Sequence, residues 1–184
     1  IMTPKGIPVC VSLEEKTSGD SWAECAVRKD AGDDYDVTNG ILVYARAEFV
    51  KDKNFYEKVQ MSHLESSGFG VAGEKPGLSP ENQKQQKKAN VAHQKEALPE
   101  SLVRIDGGIG IGRITKSGLD QPVGAAAINS VPRKMIRDAV YELLEEAGEL
   151  RLVSITISVP AGVEAAKKTF NPVLGIEGGI SVLG

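Results

Sequence analysis

Histidine is nearly missing from this 184-residue chain. His63 and His93 are the only two, and both lie in polar surroundings without the spacing of a metal pair. Zinc sites of the usual kinds are therefore not expected, nor is a Ser-His-Asp triad. Acid–base chemistry falls to carboxylates, Lys and Tyr, and no metal is expected. Cysteine is as scarce: Cys10 and Cys25 show no CxxC spacing. Both read as reduced, half-buried strand residues of a cytoplasmic protein, because disulfides persist in oxidising compartments; a disulfide between neighbouring strands is the alternative. Aromatic residues make up 5% of the chain, too few for base-stacking platforms, and the net charge of -3 is the wrong sign for a phosphate-binding domain. No apolar run reaches the length of a membrane helix, and no signal peptide opens the chain. Neither nucleic acid nor a membrane is an expected partner. What is present is an ordinary globular composition, 41% hydrophobic and 26% charged, sized for one domain or one domain with an appendage.

Periodicity organises the chain. Residues 6–13 alternate and are rich in Val and Ile, predicting a strand. A polar turn over 16–21 leads to a second strand over 23–28, and the two suggest a hairpin. An acidic turn spans 30–40, punctuated by Gly32 and Gly40, before a third strand over 41–50. Residues 51–77 show no clear period and carry a second glycine-bearing patch. Residues 79–100 are rich in Gln, Lys, Asn and Glu. Such a segment cannot bury enough surface to offset its ordering entropy, so an exposed polar insertion is expected; a basic nucleic-acid arm is the alternative. Short strands are predicted over 103–106 and 111–115. Ser130 is the expected N-cap of a helix reaching Ala147, with Pro132 in the first turn and Gly148 as its C′ residue. Met135, Ile136, Ala139, Val140, Leu143 and Leu144 share its apolar face. A strand over 152–159 and a short helix over 162–169 follow. The apolar, glycine-rich run at 175–184 reads as a segment interior to a protein, so the chain is expected to be a fragment. Together these elements predict an α+β fold, a two-layer α/β sandwich with a mixed sheet covered by helices.

Three features carry candidate chemistry. Gly107, Gly108, Gly110 and Gly112 crowd one short stretch. Without side chains, backbone N–H groups there can approach a bulky ligand closely. The third glycine comes one residue too early for a dinucleotide fingerprint, and no Gly-Lys-Ser/Thr follows at P-loop spacing. A strand–bulge–strand corner explains the same glycines without any ligand, and both readings stand. Arg113, Thr115 and Lys116 follow the run, while Asn129 and Arg133 mark the helix entry. A planar guanidinium suits carboxylates and a helix N-terminus favours anions; surface solubility is the plain alternative. Asp30, Asp33, Asp34 and Asp36 crowd the acidic turn, without the alternation and central glycine of an EF-hand. They suit either a solvated turn or a grip on hydroxyls, amines or a sulfonium.

Three long blocks are similar to one family: 29–40 (Lys-Asp-Ala-Gly-Asp-Asp-Tyr-Asp-Val-Thr-Asn-Gly), 106–119 continuing to 127–136, and 165–184. In this order the chain resembles CbiD, the cobalt-precorrin-5B methyltransferase family of anaerobic cobalamin (vitamin B12) biosynthesis. The resemblance implies methylation of carbon 1 of a corrin-like macrocycle to give cobalt-precorrin-6A, with S-adenosyl-L-methionine as cofactor, in the cytoplasm. The substrate is then a flat, polyanionic tetrapyrrole. On that basis Gly107, Gly108, Gly110, Gly112, Arg113, Thr115, Lys116, Asn129 and Arg133 are assigned to substrate, Asp30 and Asp36 to the cofactor, and Asp33 and Asp34 to proton management. The family's opening Gly-Tyr-Thr-Thr-Gly-Thr-Cys-Ala-like block has no counterpart here, and the family runs past the Ile-Ser-Val-Leu-Gly block. A partial member is therefore expected, with a possible homo-oligomeric state. The alternative is a non-catalytic substrate-binding or structural fragment of that enzyme.

Overall fold

A computed structural model describes residues 10–32, 36–51 and 102–183, which belong to one compact unit formed by 1–51 and 100–184. Its strands are β1 (Leu13–Ser18), β2 (Trp22–Arg28), β3 (Leu42–Phe49), β4 (Val103–Gly107), β5 (Arg113–Ile114), β6 (Val153–Ser158) and β7 (Ile176–Glu177). Its helices are α1 (Ser130–Ala147), α2 (Gly162–Ala166) and α3 (Asn171–Leu174).

Five strands form a mixed sheet in the order β1-β2-β3-β6-β4. Neighbours are antiparallel except β4 beside β6, which are parallel. Parallel neighbours need a crossover connection, and α1 provides it, running between β4 and β6 and packing on β4. The register sorts the side chains into two faces. Val103 and Ile105 align with Val153 and Ile155, and Ala45 and Ala47 align with Ile157 and Ile155. That face is apolar. The other carries Ser154, Thr156 and Ser158 beside Glu48, Arg46 and Tyr44. The predicted alternation of the strand over 152–159 is thus observed, each buried Val or Ile followed by a half-buried hydroxyl. A second, smaller sheet pairs β5 with β7, and single bridges join Ile111 to Ile180, Arg113 to Ala126 and Ile128 to Val182. Ile114, Ala127 and Ile176 form its core. The predicted strand over 111–115 therefore shrinks to Arg113–Ile114, because its neighbours pair one residue at a time.

Other boundaries also move. A strand is absent from residues 10–12, and β1 runs through the predicted polar turn to Ser18. The reason lies in the hairpin: Gly19 N–H donates to the Trp22 carbonyl at 2.9 Å, so pairing continues up to a tight turn. Every residue of β1 is exposed, so burial imposes no alternation on this charged edge strand. Cys10 is exposed and precedes β1, whereas Cys25 is half-buried in β2; both are free. The N-cap of α1 is Asn129, not Ser130, which is already helical. On its apolar face Leu144 is buried, Met135, Ile136 and Val140 are half-buried, and Ala139 and Leu143 are exposed. Gly148 ends α1 in the left-handed conformation, φ 64°. The helix predicted over 162–169 stops at Ala166, and α3 follows. The polar insertion over 79–100 lies outside the described residues.

Candidate functional site

The glycine run turns the chain out of β4 and back under α2. At its centre Gly110 has φ 79°, and a Cβ there would overlap the Val159 carbonyl oxygen. A Cβ on Gly162 or Gly179 would in turn overlap the Gly110 carbonyl. Three stretches of backbone thus meet without side chains between them. Three of the four glycine N–H groups donate within the chain: Gly107 to Asp106 Oδ1 at 2.8 Å, Gly108 to the Ile157 carbonyl at 2.7 Å and Gly112 to the Ile180 carbonyl at 2.9 Å.

The cations nearby are engaged as well. Arg113 grips both carboxylate oxygens of Asp106, at 2.6 and 3.1 Å, and donates to the Gly107 carbonyl at 2.6 Å. This guanidinium holds the Asp106 carboxyl below the usual carboxylate range, and Asp106 raises Arg113 in return. Arg133 donates to the carbonyls of Ile128 (2.7 Å), Ile105 (2.9 Å) and Ala126 (3.3 Å), and burial lowers its pKa from the usual value. Lys116 Nζ donates to the Val173 carbonyl at 3.0 Å, and Thr115 Oγ1 to Glu177 Oε1 at 3.4 Å. Asn129 N–H donates to the Val182 carbonyl at 3.0 Å, and its side chain makes no capping bond. Asp120 caps α1 instead: its carboxylate accepts from Ser130 N–H at 2.6 Å and from Ser130 Oγ.

The acidic turn leads elsewhere. Asp36 is ion-paired with Lys29 and accepts from Thr38 N–H at 2.8 Å and Thr38 Oγ1 at 2.7 Å. Lys29, and then Thr38, hold the Asp36 carboxyl down to about 2. Lys29 Nζ also donates to Thr38 Oγ1 at 2.6 Å. Asp30 Oδ1 accepts from Gly32 N–H at 2.8 Å, an Asx-type turn. Asp33 and Asp34 lie outside the described residues.

Lys29, Asp36 and Thr38 open into a cleft of about 500 Å³. Its apolar lining includes Val27, Val43, Val159, Ile180 and Val182, and its other polar lining residues are Thr169, Asn171 and Ser181. That size and mixture suit a small-molecule site, which is typically apolar with a few placed polar groups. Thr38 and Asn171, 7% and 8% exposed, are the buried polar side chains among the described residues, and both line this cleft. Of the described residues picked from sequence, only Asp36 lines it. Lys29, Thr38 and Asn171 were missed, although they stand inside the similar blocks 29–40 and 165–184. Among the described residues no group of three or more His, Cys, Asp or Glu gathers as for a metal ion, and no helix is long and apolar enough to cross a membrane.

The sequence model of the CbiD family matches residues 1–89 and 81–184 of this chain. A cobalt-precorrin-5B C(1)-methyltransferase of Clostridioides difficile strain 630 is 38% identical over 191 residues, spanning all of this chain and 41% of that protein. One from Geobacillus kaustophilus is 40% identical over 184 residues, spanning 37% of that protein. The chain thus covers about two-fifths of the length of these curated relatives. A crystal structure of the cobalamin biosynthesis protein cbiD from Archaeoglobus fulgidus shares the fold, with a TM-score of 0.53, 23% identity, and coverage of all of this chain and 42% of that one.

Proposed function

The chain belongs to the CbiD family, and on that premise we propose that it forms part of a cobalt-precorrin-5B C(1)-methyltransferase whose methyl donor, S-adenosyl-L-methionine, occupies the cleft beside Asp36. One observation carries this reading: two of the three blocks similar to the family, far apart in sequence, supply the polar groups of a single cleft of about 500 Å³. The fit is chemical as well as volumetric. The lining is largely apolar, and the Asp36 carboxylate, held ionised by Lys29 and Thr38, has its charge balanced by Lys29, so the pair offers polar groups to a ligand rather than net charge. Bound there, the donor supplies an electrophilic methyl group for in-line displacement, so alignment is the main demand on the protein, worth roughly 7–11 kcal/mol.

Substrate is proposed to meet the glycine corner, with Arg113, Thr115, Lys116, Asn129 and Arg133 toward its carboxylates. Arg113 and Arg133 each make three hydrogen bonds to the protein, and a guanidinium has five N–H donors, so each retains donors for a ligand. Asp33 and Asp34 are proposed to manage the ring proton, and Asp30 to support the donor site. The same reading includes a two-layer arrangement with α1 on the sheet, a cytoplasmic setting, a possible homo-oligomer, and neither nucleic acid nor membrane as partner.

Calorimetric titration with S-adenosyl-L-methionine tests the assignment. Saturable heat is expected from the native chain, and Val43→Trp, which fills the cleft, should abolish it. No heat from the native chain, or heat unchanged by Val43→Trp, would overturn the cleft as the donor site.

A further inference from the structure

Arg137 carries a second inference, which rests on the glycine corner as the substrate face. It stands on α1 one turn after Arg133 and is half-buried. Its Nε is the buried side-chain atom without a hydrogen-bond partner among the described residues. An unpaired buried donor costs free energy, and an ion that belongs beside it is one ordinary explanation. The charge nearby is unbalanced in the same sense. Arg133 lies within electrostatic reach of Asp106 and Asp120 and of Arg137 and Arg113. Three guanidinium groups thus share two carboxylates, and both carboxylates are committed: Asp106 is paired with Arg113, and Asp120 caps α1. Asp138, next to Arg137 in sequence, is paired with Lys134. Among the described residues, neither Arg133 nor Arg137 has a carboxylate at ion-pair distance. Like charges one turn apart on a helix repel, and an anion lying across both removes that repulsion.

We propose that Arg133 and Arg137 together hold one carboxylate arm of the substrate. Arg133 is anchored by its three bonds to backbone carbonyls. Arg137, without an ion pair, brings the planar fork that suits a carboxylate. It is a substrate-binding residue one position beyond the similar block that ends at residue 136. The ligand is a carboxylate rather than a phosphate because the proposed substrate is a polycarboxylate ring.

The probe is uroporphyrin III, a tetrapyrrole with eight carboxylates, titrated by fluorescence quenching into the native chain and Arg137→Met. Methionine matches arginine in helix propensity and removes the charge and the unpaired Nε. Porphyrin binding should weaken about tenfold or more, the scale of one lost contact to a charged group. Without ligand, the thermal midpoint of Arg137→Met should equal or exceed that of the native chain, since the repulsion leaves with the side chain. A lower midpoint would mark an ordinary structural arginine and sink the proposal, and so would unchanged affinity. Displacement of the porphyrin by inorganic phosphate, at concentrations where acetate has no effect, would overturn the carboxylate as ligand. Arg113→Ala separates this inference from the reading beneath it. Binding weakened in Arg113→Ala but not in Arg137→Met leaves the substrate face standing without Arg137. No porphyrin binding by the native chain would overturn both.

Discussion

Gly110 shows how far a single residue's environment reaches. Its positive φ and its contact with the Val159 carbonyl leave no room for a Cβ. Gly118 also has a positive φ, 96°, but open space around it. Gly118→Ala should therefore cost roughly 1 kcal/mol, the backbone penalty alone, whereas Gly110→Ala should cost several times that, because main chain must move. Urea unfolding of the two variants separates them; equal losses would mean the corner is not tightly packed. Asp36 makes a pH prediction. Its folded pKa, about 2, lies below the ordinary 3.8. The Lys29–Asp36–Thr38 contacts therefore stabilise the fold fully above about pH 4, and that contribution fades as pH falls toward 2. Asp36→Asn should flatten this part of the acid limb in thermal melts between pH 5 and 2. Identical slopes for native and variant chains would refute it.

Elements were legible where local chemistry and burial agreed. Strand β6 alternates because one face is buried and the other is not, and α1 ends at Gly148 because glycine takes the left-handed cap readily. Strand β1 was misplaced because nothing in it is buried, so its extent follows from pairing with β2. The start of α1 was misread for a related reason. Ser130 has the composition of a cap, yet the group that satisfies the helix N-terminus is Asp120, ten residues earlier in the chain. Asp120→Ala should speed amide exchange in the first turn of α1 while leaving its last turn unchanged. Unaltered exchange at Ser130 would show that this carboxylate does not cap the helix.

On the scale of the whole molecule, Arg133 ties the large sheet to a distant segment. Its guanidinium links the Ile105 carbonyl of that sheet to those of Ala126 and Ile128. Arg133→Ala strands those carbonyls and should cost about 2–4 kcal/mol in urea unfolding, since bonds from a charged donor exceed neutral ones. Arg113→Ala breaks an ion pair whose side chains are 43% and 61% exposed and strands one carbonyl, that of Gly107, so it should cost less, about 1–2 kcal/mol. The reverse ranking would mean that Arg113, not Arg133, is the stronger tie. Binding experiments on Arg133 variants must accordingly be paired with stability measurements, which Arg113 variants need less. The sequence by itself determined the family, through three ordered blocks of residue identities, and the elements whose period or caps are local properties. Tertiary structure alone decided where the cleft lies. Lys29, Asp36 and Thr38 sit near the start of the chain and Asn171 near its end, with no spacing rule to connect them. They line one cleft together, and Gly110, Gly162 and Gly179 let the backbone beside Val159 and Ile180, on the same cleft, pack closely. Such contacts are set by the folding of the whole chain, whereas periodicity records only which side of an element is buried.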